Sequence, residues 1–332
     1  MTKPIAVVTG GAGFIGSHMV DLLLDRGFSV RVVDNLLGGH QANLDQHAGN
    51  PDLSCHWQDI RALAPDSAIF AGAHFVFHFA GIGDIVPSIE QPLDYMDINV
   101  QGTVRVLECA RVAGVAKLVY AASSSCYGLA ATPTREDHSI APQYPYALSK
   151  YQGEQAVFHW HQVYGLPVNS VCIFNAYGTR VRTTGAYGAV FGVFFKQKLA
   201  GKPFTVVGDG SQSRDFVYVS DVARAFLAVA ETEICGERFN VGAGNPQSVN
   251  RLVDLLGGKV VYVPKRPGEP DCTYADITKI RSKLGWEPVI SFEDGVARMV
   301  TQIGRWTDAP LWDPASIAEA TRTWFQYLGP KV

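Results

Sequence analysis

The run Val8-Thr9-Gly10-Gly11-Ala12-Gly13-Phe14-Ile15-Gly16 sets the strongest limit on how this chain can fold. It follows a β-branched stretch, Ile5 to Thr9, and opens a helix-length segment, Phe14 to Arg26. Gly10, Gly13 and Gly16 carry the G-x-x-G-x-x-G spacing. That spacing allows a tight turn, close backbone approach to a pyrophosphate, and close packing of helix on strand. The first helical turn then offers unpaired N–H groups and a positive dipole end to phosphate.

The pattern continues as alternating strands and helices. Ile5 to Thr9, Ser29 to Val33, His74 to Phe79, Lys117 to Ala122 and Pro167 to Phe174 read as strands without polar alternation, as expected where both sheet faces are covered. Phe14 to Arg26, Pro92 to Ala113 and Tyr146 to Tyr164 have helical length and apolar spacing. This order predicts an α/β fold, a Rossmann-type doubly wound parallel sheet. Beyond about Tyr177, glycine and proline punctuate short segments such as Val207-Gly-Asp-Gly and Arg266-Pro-Gly-Glu-Pro. They predict a smaller, loop-rich C-terminal substrate lobe over the sheet's C-terminal edge. The expected division is a dinucleotide-binding domain over 1–176, with segments near 215–242 returning to it, and a substrate lobe over 177–332.

Asp34 ends the second strand, about 20 residues beyond the glycine loop. A carboxylate there accepts both ribose hydroxyls and repels a 2′-phosphate, which favours NAD over NADP. Asp59 either faces the adenine amino group or caps a helix. Tyr146 and Lys150 stand one helical turn apart on one face. An ammonium ion beside a phenol favours the phenolate, which would make Tyr146 a usable base.

Other classes find little support. The 332 residues carry a net charge of −3, which gives no nucleic-acid footprint. No stretch approaches the roughly 18 apolar residues of a membrane span. The chain runs from Met-Thr-Lys-Pro straight into a strand, so a cytoplasmic enzyme is expected. Six scattered cysteines form no C-x-x-C pair and argue against a disulfide framework. No metal site is expected: His159 and His161 diverge on a helix, and His78 in Phe-Val-Phe-His reads as a core histidine.

The glycine loop, Asp34, Ser123-Ser124-Ser125-Cys126-Tyr127-Gly128 and Tyr146-x-x-x-Lys150 together resemble the extended short-chain dehydrogenase/reductase family, and within it the nucleotide-sugar epimerases and dehydratases. His78-Phe-Ala-Gly81, Asn99, Phe174-Asn175, Gly208 to Tyr218 and Arg266-Pro-Gly-Glu269 extend the likeness over nearly the whole length. The resemblance implies tightly held NAD, recycled in each turnover, and a nucleotide-diphosphate sugar, usually UDP-linked, as substrate. Ser123, Tyr146 and Lys150 match the catalytic residues. Gly10, Gly13, Phe14, Ile15, Gly16, Asp34, Asn35, Asp59, Ile60, Phe79, Ala80, Gly81, Asn99 and Lys150 match the cofactor site. Ser124, Ser125, Asn175, Arg214, Arg266, Glu269 and Thr273 match the sugar-nucleotide site. A homodimer built from the helices Pro92 to Ala113 and Tyr146 to Tyr164 is also implied.

The reaction is narrowed by Ser124 and Ser125, which stand where dehydratases of this resemblance carry Asp-Glu and decarboxylases a glutamate. A hydroxyl is a poor proton donor and acceptor for elimination. Epimerisation at C4 of a UDP-hexose or UDP-N-acetylhexosamine, through a transient 4-keto sugar, is therefore expected. The alternatives are dehydration, decarboxylation or epimerisation at another carbon, or a non-catalytic NAD-binding module. Three positions depart from the pattern: Cys172, where relatives often have arginine; Asp84, read as a surface loop carboxylate or a sugar contact; and Thr273, where side-chain bulk governs acceptance of N-acetyl groups.

Overall fold

In the computed structural model, which describes residues 3–183 and 190–329, seven parallel strands form the central sheet. They are β1 (Ile5–Thr9), β2 (Ser29–Asp34), β3 (Leu53–Trp57), β4 (Ala73–His78), β5 (Lys117–Ser123), β6 (Val168–Ile173) and an edge strand, Glu237–Val241. Their order is edge strand, β6, β5, β4, β1, β2, β3. The chain winds outward from β1 in one direction and returns through β4 in the other, so the loops after β1 and β4 part at the sheet's centre. In doubly wound sheets that switch point is where ligands bind.

Both faces are covered, which explains the unbroken apolar runs. Met19, Val20 and Leu23 of α1 (Phe14–Asp25) pack with Val222, Phe226 and Val229 of the helix Val219–Glu231 on one face. Val106, Leu107 and Val157, from the helices Gly102–Ala113 and Pro145–Tyr164, cover the other. Every residue of β5 and β6 is buried. Proline in the first turn, where its missing N–H costs nothing, starts the helix Pro145–Tyr164, and Gly165 at φ +69° ends it.

The expected helix Pro92 to Ala113 is interrupted. A π turn at Asp97–Gln101 separates Pro92–Met96 from Gly102–Ala113 and places Asn99 where it is 1% exposed. Such a turn inserts an extra residue and re-aims side chains. Here Asn99 Nδ2 donates to the Ile82 carbonyl (3.0 Å) and to Ser149 Oγ (2.9 Å), and Oδ1 accepts from the Ile82 N–H (2.8 Å). The loop after β4 is thereby tied to the helix Pro145–Tyr164.

A second aromatic core lies beyond Asn175, built from Tyr177, Phe191, Phe194, Phe204, Phe216 and Trp306 among others. It is framed by two-stranded pairs: Asn175–Tyr177 with Phe216–Tyr218, Phe204–Val207 with Val260–Val263, and Ser213–Arg214 with Gln247–Ser248. Chain from 219 to 241 leaves this lobe to add a helix and the edge strand to the sheet.

Candidate functional site

A cleft of about 880 Å³ runs along the C-terminal ends of β1, β2, β4 and β5. At its floor the glycine turn is as tight as its spacing requires. Gly10 sits at φ +71°, and a Cβ there would lie 2.7 Å from Ala80 N. A Cβ on Gly16 would lie 2.1 Å from the Gly10 carbonyl oxygen. Gly13 caps α1 with no side-chain acceptor, so the N–H groups of the first turn face outward for a ligand.

Asp34 is 7% exposed, its Oδ2 accepting from the Ala12 N–H (3.0 Å) and its Oδ1 from the Leu36 N–H (2.8 Å). Burial pushes its carboxyl above the ordinary value against those two hydrogen bonds. Among the described residues no lysine or arginine forms an ion pair with it, so it stays available to hydroxyl donors. Asp59 fulfils the capping alternative: its Oδ1 accepts from the Arg61 N–H (2.8 Å), and Arg61 holds its carboxyl down at about 2. Its Oδ2 also accepts from Asn35 Nδ2 (2.8 Å), and both residues line the cleft. Phe14, Ile15, Ile60, Phe79, Ala80 and Gly81 line it too, whereas Asn99 does not. Asn99 lies behind the wall as the tie between the Ile82 loop and the helix Pro145–Tyr164. A glycine-floored cleft with outward N–H groups at one end and an unpaired carboxylate beyond fits an NAD dinucleotide.

Two elements carry the residues expected to be catalytic. Ser123 closes β5 and caps the short turn Ser124–Tyr127. Tyr146 and Lys150 enter from the helix Pro145–Tyr164 and line the cleft with Ser123. Tyr95 meets the Tyr146 ring edge-on at 6.3 Å. Ser123 Oγ also reaches Ser125 Oγ at 3.1 Å, and Ser124 and Ser125 line the cleft beside it.

The expected electrostatics need correction. Burial pushes the Tyr146 phenol well above its ordinary value, and the neighbouring Ser123 hydroxyl only partly opposes that. Lys150, 7% exposed, is itself lowered to about 8 by burial, and its Nζ lies 4.4 Å from the centre of the Tyr120 ring. Desolvation is the largest influence on both groups and opposes the charged form of each, so it works against the phenolate that the helical spacing predicts.

The sugar-nucleotide candidates divide. Asn175 borders both the main cleft and an adjoining cavity of about 210 Å³, which holds Arg214, Arg266 and Glu269. Arg214 Nη2 donates to Glu269 Oε1 (2.8 Å) and Arg266 Nε to Glu269 Oε2 (2.7 Å), so one carboxylate aligns two guanidinium groups. Thr273 lines neither cavity. Its hydroxyl donates to Asn175 Oδ1 (2.6 Å) and accepts from the Asp215 N–H, which makes it a support for Asn175 rather than a wall.

Asp84 is exposed on its loop, as the simpler expectation has it, and it also lines the cleft. Its backbone is at φ +76°, and partial desolvation at the cleft wall raises its carboxyl. Tyr95, whose hydroxyl donates to the Gly83 and Asp84 carbonyls, and Arg182 complete this wall. Neither was marked by the sequence, because a lone tyrosine and a lone arginine carry no spacing signal. Cys172 is buried at 2% on β6, and burial raises its thiol well above the ordinary value. His78 is fully buried, with Nδ1 2.6 Å from Thr9 Oγ1 and Nε2 2.9 Å from Thr103 Oγ1.

Fold and cleft together define a dinucleotide-dependent α/β protein with a serine, a tyrosine and a lysine in its cleft. Residues 6–242 match the NAD dependent epimerase/dehydratase family, and the chain belongs to it. It is similar to the UDP-glucose 4-epimerase of Mycolicibacterium smegmatis, 36% identical over 307 residues that cover 89% of this chain and 96% of the relative. Among solved structures it is similar to the UDP-N-acetylglucosamine 4-epimerase of Methanobrevibacter ruminantium in complex with UDP-N-acetylmuramic acid. That likeness has a TM-score of 0.85 and 31% identity, covering 91% of this chain and 100% of the other. The UDP-glucuronic acid 4-epimerase of Bacillus cereus, in complex with UDP-glucuronic acid and NAD, gives a TM-score of 0.85 and 29% identity, covering 91% and 99%.

Proposed function

We propose that this protein is an NAD-dependent 4-epimerase of a UDP-linked hexose or N-acetylhexosamine. The observation that carries the reading is a reacting wall with Ser123, Tyr146 and Lys150 and with hydroxyls, not carboxylates, at Ser124 and Ser125. The relatives named above act in the same sense. The glycine turn, Asp34, Asn35, Asp59 and Lys150 would hold NAD, and Arg214, Arg266 and Asn175 the nucleotide diphosphate. NAD supplies, when bound, a reversible hydride acceptor at the sugar carbon and a cationic ring that favours a nearby phenolate.

The chain's own residues do the rest. Tyr146 Oη takes the proton of the C4 hydroxyl, and Ser123 Oγ orients that hydroxyl while stabilising the phenolate by its hydrogen bond. Lys150 adds a positive charge behind the pair. The same Tyr146 returns the proton after the 4-keto sugar has turned to present its other face. Positioning in the closed cleft supplies most of the rate.

One observation favours a second reading. Asp84 lines the same cleft, and a carboxyl is the kind of group that elimination of water requires. Incubating purified protein with a panel of UDP-sugars, without added cofactor, separates the two. Inversion at C4 without mass change is expected from the wild type, and a product lighter by water would overturn the epimerase reading. Tyr146→Phe is expected to lose at least 1,000-fold in turnover while retaining NAD, an order of magnitude suited to removing a general base. A fully active Tyr146→Phe variant would sink the assignment.

Six unpaired cysteines suit a reducing cytoplasm. A homodimer through the helices Gly102–Ala113 and Pro145–Tyr164 fits the exposure of Val112, Leu148, Val163 and Tyr164 on them.

A further inference from the structure

The edge strand Glu237–Val241 comes from late in the chain, yet it touches both elements that carry the reacting groups. Arg238 and Asn240 are two residues apart and so project to the same side of the strand. Arg238 Nε donates to Glu154 Oε1 at 2.9 Å, and its Nη2 donates to Oε2. Glu154, 1% exposed, lies on the helix Pro145–Tyr164 one turn beyond Lys150 and two beyond Tyr146. Ser170 Oγ of β6 donates to the same carboxylate at 2.5 Å. Asn240, fully buried, accepts on Oδ1 from the Tyr127 hydroxyl at 2.8 Å, and Tyr127 ends the turn that begins at Ser123. The Arg238 guanidinium also lies 5.8 Å from the centre of the Tyr127 ring.

We propose that Arg238 and Asn240 form a positioning clamp that fixes the serine turn against the tyrosine–lysine helix. The clamp sets the reach of Ser123 to Tyr146 and the charge beneath Lys150. It rests on the reading of Ser123, Tyr146 and Lys150 as the reacting groups. Stability alone is a weak explanation for a buried ion pair, because apolar side chains of similar volume often serve as well or better. Fixing a unique arrangement is the best-attested use of such a pair. Asn240 lies opposite Cys172 in the ladder, and β6 offers Glu154 a hydroxyl but no cation there, so the guanidinium has to come from the edge strand.

The clamp acts on Lys150 through Glu154. The titratable groups around the Lys150 ammonium are Glu154 on its own helix, Cys126 from the serine turn, Tyr120 from β5 and His78 from β4. Of these, the Glu154 charge is the one that the edge strand controls directly.

Arg238→Met keeps the stem and removes the fork. With a UDP-hexose substrate, kcat should fall at least tenfold while KM stays within about threefold, and Arg238→Lys should recover part of the loss. Glu154→Gln removes an anion that favours charged Lys150, so the alkaline limb of kcat should move to lower pH. NAD retained after desalting reports, independently of turnover, that the cofactor site is intact. Should Arg238→Met fail to fold, Arg238→Met/Glu154→Gln removes the stranded buried charge and is expected to fold, retain NAD and still lose kcat. A folded Arg238→Met or double variant with kcat within twofold of wild type and an unmoved pH limb overturns the clamp. Tyr146→Phe, assayed in parallel, keeps the two readings apart. If it is inactive while the Arg238 variants are normal, only the clamp fails; if it is active, the reaction assignment fails.

Discussion

Replacing Gly16 by alanine tests the glycine turn where two opposing effects can be weighed. Gly16 lies in the first turn of α1, and inside a helix alanine is ordinarily favoured over glycine by about 1 kcal/mol. Here the added methyl would stand 2.1 Å from the Gly10 carbonyl oxygen, 2.8 Å from its carbon and 2.9 Å from Gly11 Cα. All three are backbone atoms of the turn that is to meet the pyrophosphate, so no side chain can swing aside. Relief requires α1 to move off the turn by roughly 1 Å, and overpacking of this kind costs about 1–3 kcal/mol. The steric cost therefore exceeds the propensity gain. The melting temperature should fall by ~1–4 °C, and NAD should bind roughly 5- to 150-fold more weakly. Gly192→Ala is the control. It sits in the helix Val190–Leu199, where a Cβ meets nothing nearer than Trp306 Nε1 at 3.6 Å, so the same exchange should stabilise slightly. Calorimetric melting and NAD titration read both variants. A Gly16→Ala protein that binds NAD as wild type does and melts no lower would refute the close-approach argument.

Two other outcomes follow from the site and its surroundings. Asp34→Ser removes the carboxylate that accepts ribose hydroxyls and repels a 2′-phosphate, so NAD should weaken by about 10- to 100-fold and NADP should gain. Equal NAD affinity in the variant would remove Asp34 from the cofactor site. His78 is held neutral, lowered from 6.5 to about 3, chiefly by burial. The unfolded chain then binds the extra proton below pH 6.5, so this contribution to stability is full above that pH and is lost as pH falls toward 3. Its size is of order 5 kcal/mol. Urea unfolding of wild type and His78→Gln between pH 7 and 4 should therefore give a steeper loss for wild type; parallel curves would contradict it.

Much of this architecture was written locally. The glycine spacing, the apolar runs and the Tyr146–Lys150 interval are short-range patterns, and the strands and helices they predict appear within a residue or two. Asp34 was readable because strand length fixes where β2 ends. The π turn at Asp97–Gln101 was not, since one extra residue in a helix leaves no mark on apolar periodicity. Thr273 was misplaced because motif position says which residues are near Asn175 but not which of them faces the cavity.

What the sequence determined on its own is the doubly wound sheet, the dinucleotide turn and the placing of Ser123, Tyr146 and Lys150 at one cleft, because each depends on spacings of a few residues. Only the tertiary structure decided their chemistry. Burial pushed the Tyr146 phenol up and brought Lys150 down to about 8. The fold also brought Asp84 to the cleft wall. The edge strand, arriving from residues 237–241, placed Arg238 and Asn240 against Glu154 and Tyr127. Desolvation and long-range contacts depend on what surrounds a group in three dimensions, and no interval along the chain encodes that.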